Sequence, residues 1–225
     1  MSINQPKFYK VSSAKQAAEY LAEVINKHLD NGERVLWLIP GGSSIEVAIL
    51  TAEQLTADLS NLTVSLTDER YGPVGHADSN WRQLQAAGLK LPGAKLQPVL
   101  NGESLERTTA SYCEFLQTNF DQADYAIGLT GIGIDGHTVG IKPHSPALES
   151  QQLVCGYQAE DYQRLSITPK AIRHLDEMIV YAVGQEKWPV LEALKQNLAI
   201  NEQPAQILKQ VPKLIIFNDL KGEQL

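Results

Sequence analysis

Cysteine is almost missing from this chain: Cys113 and Cys155 are the only two in 225 residues. They lie far apart and in no C-x-x-C pairing, which excludes a disulfide framework or a zinc knuckle and leaves two thiols packed as small hydrophobes. No apolar run approaches the length a bilayer crossing needs, and the opening M-S-I-N-Q-P-K-F-Y-K holds no apolar core of signal-peptide length. A cytoplasmic protein that engages no membrane is the expectation. Positive charge is also short, with 19 Lys and Arg against 26 Asp and Glu for a net −7. That balance argues against a general nucleic-acid or anionic-lipid surface, because both need a positive field. Any anionic ligand must be met by a few locally placed cations. There is no internal repeat, no low-complexity tract and no Gly/Ser linker. The five histidines, His28, His76, His137, His144 and His174, show no H-E-x-x-H or comparable ligand spacing, so no metal is expected.

What is present fits one α/β unit. The length and the 43% hydrophobic content suit one sizeable core, read as a single domain over residues 1–225. Ser13 to Gln16 has capping-box spacing, and Leu21, Val24, Ile25 and Leu29 recur at helical intervals up to Gly32. Arg34 to Ile39 is continuous and apolar after its first residue, as in a strand covered on both faces. Further strands are expected at Leu62–Thr67, Tyr125–Leu129, Leu153–Tyr157, Arg164–Thr168, Met178–Val183 and Lys213–Phe217. Helices are expected after Ser79, at Leu105–Phe120, near Pro169–Leu175, at Gln185–Gln196 and from Pro204. The alternation predicts a three-layer, Rossmann-like domain with a mostly parallel central sheet flanked by helices.

Three polar stretches fall at the carboxyl ends of these strands, the edge where open α/β sheets bind ligands. Pro40-Gly-Gly-Ser-Ser44 reads as strand, glycine turn, helix. Its free N–H groups make a phosphate cradle possible around Gly41, Gly42 and Ser43, although no G-x-x-x-x-G-K-[ST] is present. A tight βα turn with capping serines explains the segment equally well. Asp68-Glu69-Arg70 ends the second expected strand and would bring carboxylate and cation to the same crevice. The stretch L-T-G-I-G-I-D-G-H-T-V-G-I-K-P, from Leu129 to Pro143, carries four glycines around Asp135 and His137. Gly131-x-Gly133-x-x-Gly136 formally matches a dinucleotide fingerprint, but Pro143 and Pro146 forbid the long helix that the fingerprint must open. No nicotinamide or flavin cofactor is therefore expected. His137 suits a proton-transfer role with Asp135 orienting it, and an Asx-turn holding a loop histidine is the competing reading.

P-G-G-S, T-D-E-R-Y-G-P…D-S-N and G-I-G-I-D-G-H-T, in that chain order, resemble the sugar-phosphate family of the 6-phosphogluconolactonases and glucosamine-6-phosphate deaminases. The likeness extends through Arg164-Leu-Ser-Ile-Thr168 and Gly184-Gln-Glu-Lys187, covering about residues 34 to 195. D-E-R with a following Pro and S-N resembles the lactonase branch, whereas the deaminases carry D-E-Y and N-E-P. Lys142 stands where the family usually has an apolar residue. The resemblance implies opening of 6-phosphoglucono-lactone in the oxidative pentose phosphate route, with a small sugar-phosphate lactone as the only partner and no cofactor. It implies His137 as general base supported by Asp135, and Gly42, Ser43, Arg164 and Lys187 on the phosphate. Arg70 would sit at the phosphate or the reacting end, organised by Asp68; Arg164 could otherwise be an exposed strand end. In a deaminase, Asp68 would instead move a proton between sugar carbons. The oligomeric state stays open.

Overall fold

The computed structural model describes residues 5–223. In chain order the elements are β1 (Lys7–Lys10), α1 (Ala14–Asp30), β2 (Val35–Ile39), α2 (Ile45–Gln54), β3 (Leu62–Leu66), β4 (Asp68–Arg70), α3 (Asn80–Ala86), β5 (Lys95–Leu96), α4 (Leu105–Gln122), β6 (Tyr125–Thr130), β7 (Val154–Gln158), β8 (Gln163–Ile167), α5 (Pro169–Ile172), β9 (Glu177–Ala182), α6 (Trp188–Ala193) and β10 (Lys213–Asn218). Seven strands form one parallel sheet in the order β1-β10-β9-β6-β2-β3-β5. The expected α/β architecture is present. Strand β2, V-L-W-L-I, is buried at every position, and Trp37 and Phe217 are the largest fully buried side chains among the described residues. A continuous apolar run is what a strand covered on both faces requires. Helix α1 presents Leu21, Ile25 and Leu29 to the core and packs on α2, β2 and β9. No described helix is long and apolar enough to cross a membrane.

Several local expectations need correction. Asp68–Arg70, Leu153–Tyr157 and Arg164–Thr168 do not extend the parallel sheet. They build a second, three-stranded antiparallel sheet ordered β4-β8-β7. The three charged residues of β4 leave the β3 line one residue after Leu66, and pairing with β8 satisfies their backbone. The capping box at Ser13 does not close, because the Gln16 carboxamide oxygen accepts from the Ser12 N–H at 2.9 Å instead. The helix over Gln185–Gln196 is shorter, a 3-10 turn at Gln185–Lys187 followed by α6, with Pro189 in its first turn. The segment from Pro204 is a 3-10 run to Gln210. Strand β1, K-F-Y-K, escaped the sequence reading because four residues on a sheet edge carry too little periodicity.

The sheet order places a topological switch between β2 and β6: the chain runs outward through β3 on one side and through β9 and β10 on the other. Loops after β2, β6 and β9 diverge there and leave a crevice. The antiparallel sheet stands beside it.

Candidate active site

The crevice is a cleft of about 380 Å³. Gly41, Gly42 and Ser43 line it after β2, His137 after β6, and Lys187 after β9, while Asp68, Arg70 and Arg164 enter from the antiparallel sheet. All eight were candidates from sequence. Asp135 does not line the cleft itself and touches His137, which does. Among the further lining residues are Ser44, Asn80, Lys142 and Asp161, none of them named as a site residue from sequence. Ser44 was visible as a hydroxyl beside the glycine turn or as a cap, Asn80 as a cap and as the end of the D-S-N motif, and Asp161 had no motif to mark it.

The turn after β2 uses its two glycines for different reasons. Gly42 has φ +66, the left-handed region that glycine tolerates best. Gly41 has an ordinary backbone, but a Cβ there would lie 1.9 Å from the Asn80 carboxamide oxygen. Ser44 is the N-cap residue of α2, yet its side chain makes no capping bond, and its hydroxyl is buried without a partner among the described residues. Capping therefore does not account for that serine.

In β4 the alternation of the pleat separates Glu69 from its neighbours. Glu69 is fully buried and faces α3, where its carboxylate accepts from the N–H groups of Asn80 at 2.6 Å and Trp81 at 3.1 Å and from the Ser79 hydroxyl at 2.9 Å. Burial pushes its carboxyl up, and these donors oppose the shift. The result is a fixed α3, whose Asn80 donates to the Asp68 carbonyl at 2.8 Å. Asp68 and Arg70 face the cleft. Asp68 was expected to organise Arg70 but pairs with Arg164, Nη1 to Oδ2 at 3.8 Å, whereas Arg70 donates to the Asp78 carbonyl at 2.9 Å. The reason is register: Arg70 lies directly opposite Arg164 across the β4–β8 ladder. Both guanidiniums stack over the Tyr162 ring, at 5.5 and 5.7 Å from its centroid. Arg164 is only 6% exposed and binds Asp161 at 2.6 Å, so it is no exposed strand end.

After β6 the glycine loop folds on itself, with the Gly133 N–H donating to the His137 carbonyl at 2.9 Å and the Gly136 N–H to the Gly133 carbonyl at 2.9 Å. Asp135 Oδ1 accepts from the His137 N–H at 3.1 Å and meets its Nδ1 at 2.5 Å. The first contact is the Asx-turn that shapes the loop, and the second brings the same carboxylate against the ring. The His137 hydrogen bond, joined by the charge of Lys142, holds the Asp135 carboxyl well below the usual carboxylate range. A Cβ on Gly133 would fall 2.1 Å from His137 Nδ1, so the imidazole occupies the space that glycine leaves. No α-helix follows β6 before β7, only a 3-10 turn at Pro146–Leu148, which removes the dinucleotide reading. Lys187 is half-buried beside the cleft, and burial pushes its ammonium down. Among the described residues no group of three or more His, Cys, Asp or Glu could hold a metal ion.

The family model of the glucosamine-6-phosphate isomerases/6-phosphogluconolactonase matches residues 10–216. The chain belongs to that family. A 6-phosphogluconolactonase of Helicobacter pylori strain J99 is 30% identical over 204 residues, spanning 86% of this chain and 87% of the relative. Among solved structures, a 6-phosphogluconolactonase from Shewanella baltica superposes with a TM-score of 0.83 at 21% identity over 97% of this chain and 100% of the other. A monomeric glucosamine-6-phosphate deaminase superposes with a TM-score of 0.77 at 17% identity over 95% and 97%. Both branches of the family thus share this fold, and the fold alone does not separate them.

Proposed function

We propose that the protein hydrolyses the δ-lactone of 6-phosphogluconate. The observation that carries this is the Asp135–His137 pair at 2.5 Å on a cleft whose other walls bring Arg70, Arg164 and Lys187. An ionised carboxylate can only accept, so the Nδ1 hydrogen is committed to Asp135 and Nε2 keeps a lone pair. A water between Nε2 and the lactone carbonyl loses its proton to His137 as its oxygen bonds to the carbonyl carbon. The carbonyl electrons move onto an oxyanion. They return as the bond to the ring oxygen breaks, and the proton on His137 passes to that oxygen, giving the open hydroxy acid. Proton transfer of this kind is worth roughly 10² to 10⁴ in rate. The phosphate takes the N–H groups of Gly42 and Ser43 with Arg164 and Lys187, and Arg70 meets the phosphate or the oxyanion. In this proposal the chain is one catalytic domain over residues 1–225, works in the cytoplasm and requires neither cofactor nor metal.

The test is the rate of 6-phosphogluconolactone loss above spontaneous hydrolysis for the wild type and His137→Ala, with and without chelator. An acceleration lost in the variant and indifferent to chelator is expected. No acceleration by the wild type sinks the lactonase reading. Ammonia release from glucosamine 6-phosphate would then identify a deaminase using Asp68, and ligand-induced stabilisation without turnover would identify a binding protein.

A further inference from the structure

The loop after His137 is built to deliver one more side chain to the pair. Val139 and Gly140 have φ of +46° and +81°, and the Ile141 N–H donates to the Thr138 carbonyl at 2.7 Å, which is a primed turn of the hairpin kind. A β-branched residue in the left-handed region is costly and persists only where the surroundings impose it. Here the surroundings are the antiparallel sheet. Ser166 of β8 donates its hydroxyl to the Val139 carbonyl at 2.6 Å, and Tyr157 of β7 donates to the Gly140 carbonyl at 2.5 Å. Thr130 completes the hold by accepting the Val139 N–H at 3.3 Å.

This turn reverses the chain so that Lys142 comes back onto the Asp135–His137 pair. Its Nζ donates to Asp135 Oδ2 at 3.3 Å, the oxygen that His137 does not use. Lys142 also lines the cleft. Asp135 is 39% exposed along its side chain, so a carboxylate held through one oxygen alone would be free to rotate into water and release the ring. We propose that Lys142 is a positioning residue, the third member of a Lys142–Asp135–His137 chain that locks the carboxylate and thereby fixes the tautomer and direction of the imidazole. This rests on the lactonase reading for its kinetic consequence and on the geometry alone for its effect on His137.

Two measurements test it on the full-length protein. In kinetics, Lys142→Met lowers kcat about fivefold, the equivalent of ~1 kcal/mol expected of a partly exposed ion pair, and leaves KM unchanged. Lys142→Arg restores most of the loss. In an Asp135→Asn background the same Lys142→Met change has no further effect, because the group through which it acts is gone. In ¹⁵N NMR at about pH 8.5, where an ordinary imidazole is neutral, wild-type His137 shows one tautomer with a protonated Nδ1. Lys142→Met shows a mixture. A raised KM at unchanged kcat, with effects that add to Asp135→Asn, would make Lys142 a substrate ligand and overturn the inference. So would a His137 tautomer indifferent to Lys142, whatever the kinetics. A wild type without lactonase activity whose His137 tautomer still depends on Lys142 removes the functional reading and leaves the positioning role standing.

Discussion

Gly133→Ala isolates the position of His137 from everything else in the cleft. Gly133 is not among the glycines with positive φ, so alanine fits its backbone without strain. The added Cβ would lie 2.1 Å from His137 Nδ1, 2.2 Å from Cε1 and 2.6 Å from Asp135 Oδ1, and ordinary contact begins near 3.4 Å. The ring must therefore retreat by roughly 1 Å or more, a misplacement that costs about 10²-fold in a reaction relying on aligned groups. That factor is ~2.7 kcal/mol of barrier. The upper bound is the whole contribution of a general base, about 10⁴. The assay is the initial rate of lactone hydrolysis above the spontaneous rate, with thermal unfolding measured on the same sample. The expected result is a kcat lower by about 10² with KM and unfolding temperature nearly unchanged, since the phosphate end of the cleft is untouched. A variant that turns over at the wild-type rate would refute the placement of the imidazole against Gly133, and with it the role assigned to the pair.

Glu69→Gln is expected to destabilise the fold by about 1 to 3 kcal/mol, because the amide end cannot accept and leaves a buried N–H or hydroxyl of the α3 start without its partner; urea unfolding measures it. Asp135→Asn tests the depressed carboxyl. A folded pKa below the unfolded value gives stability that is full above about pH 3.9 and is lost as pH falls through the lower folded value. The stability gap between wild type and variant should be widest near neutrality and close in strong acid. Arg164→Met removes a buried cation from Asp68 and Asp161 and should raise KM for the phosphorylated lactone by tenfold or more, while the unphosphorylated lactone reacts as in the wild type. Gly41→Ala forces the Asn80 side chain away and should raise KM with little loss of kcat.

The parallel sheet was legible because its strands are buried on both faces and read as unbroken apolar runs, Val35–Ile39 most plainly. The antiparallel sheet was not. Two of its three strands were expected as strands, but D-E-R and Q-R-L-S-I are short and mixed in polarity, and nothing local in either reports that they pair with each other. The candidates in the glycine loops were legible because loops at strand ends are conspicuous: glycine clusters carrying His, Asp and Ser have no core role to play, whereas Arg164 and Lys187 were marked only by the family resemblance. Glu69 inside D-E-R looked like a solvated charge, and only the fold reveals that four donors meet it out of water. Lys142 meets Asp135 only because the turn at Val139 and Gly140 brings the chain back, and Asp161 meets Arg164 three residues on without any motif to mark it.

The facing of Arg70 and Arg164 across one ladder has a consequence in time. The residues it joins are as distant in sequence as 70 and 164, and the strands carrying them are three and five residues long. Contacts of that separation are slow to form, because a long loop must close before any pairing rewards it. Helices and the hydrogen-bonded β2–β3 pair, whose partners lie close in the chain, can assemble first. During refolding from urea, far-ultraviolet circular dichroism should recover ahead of catalysis, and the lag between them measures how late the two arginines meet.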